Sequence, residues 1–287
     1  MRQTKGVMQM SLKKGDKGQD VRELQSQLNL MGFYAGKLDG SFGGGTETAV
    51  KKFQWAKNLS VDGHAGPATQ EALKKPDFEI LSLNQLTDRL TKYNHKEFHV
   101  HCTAAPDFKQ YYEPKAANDD ERAISRQRSM RAYHVNTRGW KDIGQHVTLI
   151  PDGRFVTGRA FNHNPASIDK EHNPGAFMME MIGNFDKGHD PYQGEQRRSA
   201  VGLGRWFDQR GKYIRFHNEN SSKTCPGSGI PKASFMAEVR MDPAPKPTPK
   251  PDSGTIYRVQ VGAFSDKANA EKLMNELKQK GYNAVVK

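Results

Sequence analysis

Between residues 241 and 254 the chain reads MDPAPKPTPKPDSG, and this run restricts the possible folds more than any other stretch. Closely spaced prolines remove backbone donors and lock φ, so the segment is predicted to run as an extended polyproline II spacer. A chain cut there folds in separate pieces, and 287 residues suit two or three of them. A softer boundary is expected in LKKPDFEI at 73–80, where Pro76 stops a helical pattern. The expected pieces are 11–75, 79–240 and 255–287, with 241–254 as the linker.

The first piece contains an internal echo. LDGSFGGGTETAVKKFQ and VDGHAGPATQEAL each lead from an apolar residue through Asp-Gly (Asp39-Gly40, Asp62-Gly63) to Gly and then Thr. Thr46 and Thr69 are expected to be N-caps, since a threonine hydroxyl accepts from the free N–H groups of a first turn. Val21, Leu24, Gln25 and Leu28 recur at helical spacing, as do Ala49, Val50 and Phe53. A small three-helix bundle with a core of Leu24, Leu28, Val50 and Phe53 is the expected result. The last piece alternates at Tyr257, Val259 and Val261, then places Ala270, Leu273, Met274 and Leu277 on one helical stripe, and ends in YNAVV. That pattern predicts strand–helix–strand, a unit small enough to bury little surface on its own.

The middle piece carries the chemistry. In EFHVHC, Phe98 and Val100 alternate with His99 and His101, which reads as a strand with both histidines on one face. QHVTLI and RFVTGR flank a Pro151-Asp152-Gly153 turn, as a hairpin does. GAFMMEMIGNFD is a mostly apolar run interrupted by Glu180, the signature of a buried central strand. A helix is expected from Glu195 to Gln209, and KYIRFH is a short strand that delivers His217. His217 and Cys225 are eight residues apart across a polar loop, close enough to share one ion if the loop folds back. Zinc accepts such donors in threes, leaving a position open, and the strand at 99–101 offers a third. On spacing alone the pair reads equally as a packed histidine and a half-buried thiol, and Lys223 as a solvated loop lysine.

Totals narrow the partners. Formal charge is +12, which favours a polyanion, and both nucleic acid and an anionic cell wall answer to that. No compact Lys/Arg cluster with interleaved aromatics occurs, so nucleic acid is not the expected partner. No apolar run approaches the roughly 18 residues of a membrane span, and residues 1–18 contain no apolar signal core. Membrane insertion is not expected, and any export is expected to follow a route other than the general secretory one. Cys102 and Cys225 do not suggest a disulfide framework.

Three resemblances sharpen this reading. GDKGQDVRELQSQLNLMGFYAGKLDGSFGGGTETAVKKFQWAKNLSVDGHAGPAT resembles the peptidoglycan-binding domain of cell-wall hydrolases, which implies glycan or muropeptide binding, with Tyr34, Phe42 and Trp55 as candidate contacts. The last piece, with YRVQVGAF as its telling motif, resembles half of a SPOR domain, another peptidoglycan-binding module. VHCTA, GWKDIGQHVTLIPDGRFVTGR and HNENSSKTCPG resemble, in order, the motifs of type-2 N-acetylmuramoyl-L-alanine amidases, a family that includes phage lysozymes and peptidoglycan-recognition proteins.

The amidase resemblance implies an α/β zinc domain with a mixed central sheet flanked by helices, in a multidomain chain with the three-helix domain before it and a short βαβ unit after it. It implies zinc ligands His101, His217 and Cys225, and Cys225 points to catalysis because members that only bind commonly lack it. His99 shares the face of His101 and stands as the alternative ligand, otherwise a residue beside the ligands or at the surface; Cys102 is expected in the core, and His134 and His146 in structural places or beside the ligands. His163 and His172 are assigned no role. Many family members carry a tyrosine where this chain has Gln145, and others place a glutamate on the central strand, where Glu180 stands. The resemblance therefore implies Glu180 as general base and Lys223 as the oxyanion donor, cutting the bond between the muramic lactyl group and L-alanine. Peptidoglycan is the implied partner, anionic wall polymers a further one. The implied place of action is the cell wall, after synthesis in the cytoplasm and holin-type release or export outside the general secretory route.

Overall fold

The computed structural model describes residues 11–241, 264–279 and 286. Residues up to Met241 form one unit and those from Asp242 a second. The proline-rich run and both strands expected in the last piece lie outside the described residues. Only the helix Lys267–Gln279 is described there, with Ala270, Leu273, Met274 and Leu277 half-buried along the expected stripe.

In the first unit, α1 (Gln19–Leu30), α2 (Gly44–Ala56) and α3 (Pro67–Leu73) enclose Val21, Leu24, Leu28, Val50 and Phe53. The expectation that Thr46 and Thr69 cap their helices fails, because Gly43 and Gly66 hold the N-cap positions in extended backbone. Both threonines sit inside the first turn, buried, where they accept from glutamines. Gln25 Nε2 reaches Asp39 Oδ1 (3.0 Å), Ser41 O (3.1 Å) and Thr46 Oγ1 (3.2 Å), while its Oε1 accepts from Gly40 N at 2.9 Å. Gln54 repeats the pattern on Asp62 (2.7 Å), His64 O (2.9 Å), Thr69 (3.1 Å) and Gly63 N (2.9 Å). Gly40 has φ 72°, and a Cβ there would lie 2.8 Å from Gly18 O, so the turn requires glycine. The echo in sequence is thus a repeated polar bracket around one buried glutamine. Phe42 is 1% exposed and belongs to the core, which removes it as a ligand contact.

The boundary at 73–80 is packed rather than free. Arg131 is buried, donates from Nε to Asp142 (2.9 Å) and from a terminal nitrogen to Met31 O (3.1 Å), and lies 3.8 Å over the ring of Phe78. Asp77 accepts from Arg128 twice at 3.0 Å. Trp55 stacks on His163 with ring centroids 3.9 Å apart, so it faces another part of the same unit.

The remainder runs in the order β1 (Ile80–Leu81), α4 (Leu83–Leu90), β2 (Glu97–Cys102), α5 (Phe108–Tyr112), α6 (Asp119–Ala132), β3 (Val147–Leu149), β4 (Phe155–Thr157), β5 (Phe177–Met181), α7 (Gly194–Asp208), β6 (Tyr213–Phe216) and α8 (Lys232–Arg240). One six-stranded sheet is ordered β1-β4-β3-β5-β2-β6. Strands β3, β5, β2 and β6 are mutually parallel, whereas β4 pairs antiparallel with both β3 and β1. Strand alternation then sorts the side chains. Phe98, Val100, Val147, Leu149, Phe177, Met179 and Met181 enter the core shared with Leu86, Leu203, Phe207 and Phe235 of α4, α7 and α8. His99, His101, Thr148, Met178 and Glu180 turn to the opposite face. No helix among the described residues is long and apolar enough to cross a membrane.

Candidate metal centre

The polar face of the sheet ends in a cleft of about 1040 Å³ at the carboxyl ends of β2, β5 and β6, where parallel sheets ordinarily place their ligands. Cross-strand register sets His101 beside Glu180, and Glu180 beside Thr148. His217 comes directly after β6, and the loop beyond it returns Cys225, whose carbonyl accepts from Asn218 N at 2.8 Å. Ligating atoms of His101, His217 and Cys225 lie within 4.8 Å of one another. Cys225 Sγ is 3.6 Å from His101 Nδ1, and the two imidazole centroids are 4.5 Å apart.

Electrostatics keep both rings in the ligating form. Burial above all, then His217, His99 and Lys223, pushes His101 well below the ordinary histidine range, and burial with Lys223 pushes His217 down. The nearby Cys102 thiol, together with burial, raises the Cys225 thiol, and a cation held at the site would favour the thiolate. Cys102 packs half-buried against the helix-side core as expected, yet its backbone N–H also donates to Cys225 Sγ at 3.3 Å.

Glu180 lines the same cleft and has no hydrogen-bond or ion-pair partner among the described residues. Burial raises its carboxyl to about 7. Lys223 lines the cleft with an exposed side chain. Gln145 is fully buried; its Nε2 donates to Thr148 Oγ1 at 2.8 Å and its Oε1 has no partner among the described residues. His134 lines the rim and stacks on Trp140. His146 is structural: its Nδ1 accepts from Met178 N at 2.9 Å and its ring stacks on Phe177. His163 serves as the stacking partner of Trp55, and His172 bonds Asp169 at 2.8 Å.

Two contributors have no signal in the sequence. Ser167 comes from the long loop between β4 and β5 and sits 2.7 Å from His101 Nε2. Arg126 lines the cleft from α6 with a buried Nε that has no partner among the described residues. Neither stands in a motif, and only the fold brings them to the site.

His101, His217 and Cys225 thus form a group that could hold a metal ion, and three family models match separate stretches of the chain. Residues 92–228 match the N-acetylmuramoyl-L-alanine amidase family, residues 17–73 the peptidoglycan binding domain, and residues 247–287 the SPOR domain. The spore cortex-lytic enzyme of Bacillus cereus is 50% identical over 64 residues, 22% of this chain and 25% of that protein. Peptidoglycan-recognition protein SC1a/b of Drosophila simulans is 31% identical over 107 residues, 36% of this chain and 56% of that protein. Among solved structures, N-acetylmuramoyl-L-alanine amidase LysC from Clostridium intestinale is 20% identical, covering 52% of this chain and 88% of that chain at a TM-score of 0.40. The chain spans about a quarter of the length of the cortex-lytic enzymes it matches.

Proposed function

We propose that the chain hydrolyses the amide between N-acetylmuramic acid and L-alanine of peptidoglycan in a zinc-dependent reaction. The observation that carries this reading is the convergence of His101, His217 and Cys225 within 4.8 Å in the cleft that Glu180 also lines. Two neutral imidazoles and a thiolate suit zinc, and three protein ligands leave a position for chemistry. When bound, zinc supplies Lewis acidity to the scissile carbonyl and acidifies water to near neutrality.

The chain's own groups do the rest. Glu180, whose carboxyl burial raises, takes a proton from the attacking water. As the carbon–nitrogen bond breaks, Glu180 returns that proton to the departing amine of L-alanine. Lys223 donates to the oxygen that gains charge at the tetrahedral stage. The Gln145 amide cannot move a proton, so it only hydrogen-bonds in the place where relatives carry tyrosine.

Residues 11–75 act as a wall-binding domain, and residues 255–287 as a second binder joined through the proline-rich segment. Two weak binders on one polymer raise local substrate concentration by avidity. The formal charge of +12 adds attraction to anionic wall polymers. Digestion of purified walls by the zinc-loaded protein, read by mass spectrometry, tests the proposal. Free stem peptides beginning with L-alanine are expected. Shortened stems would make it a peptidase, and no new amines would make it a non-catalytic binder.

A further inference from the structure

His101 is one end of a continuous chain of hydrogen bonds. Its Nε2 lies 2.7 Å from Ser167 Oγ, and the same hydroxyl lies 2.9 Å from His99 Nδ1. His99 Nε2 is 3.1 Å from Glu97 Oε2, and Arg215 donates to both Glu97 oxygens at 2.7 and 3.1 Å. Both histidines are buried, so their ring nitrogens depend on these partners rather than on water. Arg215 is the register partner of His99 and lies two residues before His217, so it touches both ligand-bearing strands. The Ser167 backbone is fixed in turn, since Ser167 and Ile168 both donate to Asn173 Oδ1 (3.3 and 2.9 Å), and Ala166 N donates to Gly144 O at 3.1 Å.

Donor and acceptor valence assigns every proton along the chain. A carboxylate forked by guanidinium only accepts, so His99 carries its proton on Nε2. His99 Nδ1 is then an acceptor, and the Ser167 hydroxyl must donate to it. With that proton committed, Ser167 Oγ accepts from His101, whose proton is therefore on Nε2. The lone pair of His101 is left on Nδ1, the nitrogen that faces Cys225 Sγ at 3.6 Å.

We infer that Glu97, His99 and Ser167 form a tautomer lock that holds His101 with Nδ1 free toward the metal centre, Ser167 being the positioning residue. The lock rests on the metal reading for its purpose, though not for its proton assignments. It works through ring orientation and tautomer, and an outer partner of a ligand histidine is ordinarily worth about 10–100-fold in metal affinity. In Ser167→Ala the His101 Nε2 proton has no acceptor, and the ring is released to either tautomer. Ser167→Thr keeps the hydroxyl and the lock.

Two readouts test this. Zinc affinity, by competition with a chromophoric chelator, is expected to fall roughly 10–100-fold in Ser167→Ala and to recover in Ser167→Thr. Long-range ¹H–¹⁵N spectra of the histidine rings in metal-free protein are expected to show His101 protonated on Nε2 in the wild type and mixed in Ser167→Ala. Protonation on Nδ1 in the wild type overturns the lock, as does unchanged zinc affinity in Ser167→Ala. Equal losses in both variants would give Ser167 a packing role and overturn it too. A wild-type protein that takes up no zinc fails the metal reading instead, and the tautomer measurement still decides the lock.

Discussion

Two buried polar clusters sit in one unit of this chain and have opposite characters. Around Gln25 and Gln54, each side-chain amide has its acceptors and its donor supplied from within the same loop and helix. Around His101 the bonding is incomplete on the cleft side, where His101 Nδ1 meets only the Cys225 thiol and Glu180 has no partner among the described residues. His101 Nδ1, the Cys225 thiol and the Glu180 carboxyl are left facing one space. A saturated bracket spends its hydrogen bonds on holding a turn, whereas a half-saturated cluster keeps capacity for a ligand at a cost in folding free energy. Burial of polar side chains is common to both, so burial alone separates nothing. The direction of the unused valence does.

The largest test of that contrast is Cys225→Ser, expected to abolish both zinc uptake and release of amines from walls while leaving the denaturation midpoint of the metal-free protein nearly unchanged. Metal analysis beside an amine assay checks it. Next, Glu180→Gln is expected to retain zinc yet lose roughly 10²–10⁴-fold in turnover. The wild-type rate should fall at acid pH as the base becomes protonated, at a pH set by burial, which raises that carboxyl, against the metal's charge, which lowers it, and an active Glu180→Gln protein would refute the assignment.

The same carboxyl makes a stability prediction with a definite sign. Its folded pKa is raised, so its contribution is fully present below the unfolded value of 4.5 and is lost as pH rises through about 7. Metal-free Glu180→Gln should therefore match the wild type near pH 4 and exceed it above pH 8, by up to about 3 kcal/mol in urea titrations. Lys223→Ala is expected to lower turnover about 10²-fold with zinc content intact, as loss of one oxyanion donor does. At the other cluster, Gln54→Ala should cost about 2–3 kcal/mol by leaving buried partners unpaired, with no change in zinc content. A change in zinc content there would break the comparison.

Much of the frame is legible in the sequence because strand and helix periodicities are local. The alternation in EFHVHC puts both histidines on one face, and the apolar run around Glu180 marks the central strand. The Asp-Gly echo is visible too, but its meaning at Thr46 and Thr69 is not. A hydroxyl beside glycine at a helix start looks like a cap until the glutamine that binds it, 21 or 15 residues earlier, is known. Phe42 misleads for a related reason: an aromatic in a loop gives no sign of which way it points. The packing of Arg131 among Asp142, Met31 and Phe78 has no local signature either.

By itself the sequence determined the order of segments, the faces of the strands, and the types of donor available, since each depends on spacing within about ten residues or on motifs in short runs. Tertiary structure alone decided that the strand bearing His101 lies between those leading to Glu180 and His217. It also brought a serine 66 residues away from His101 to that histidine's far nitrogen. Hydrogen bonds and metal ligation act over about 2–4 Å, and separation along the chain carries almost no information at that scale until the sheet has closed the distances.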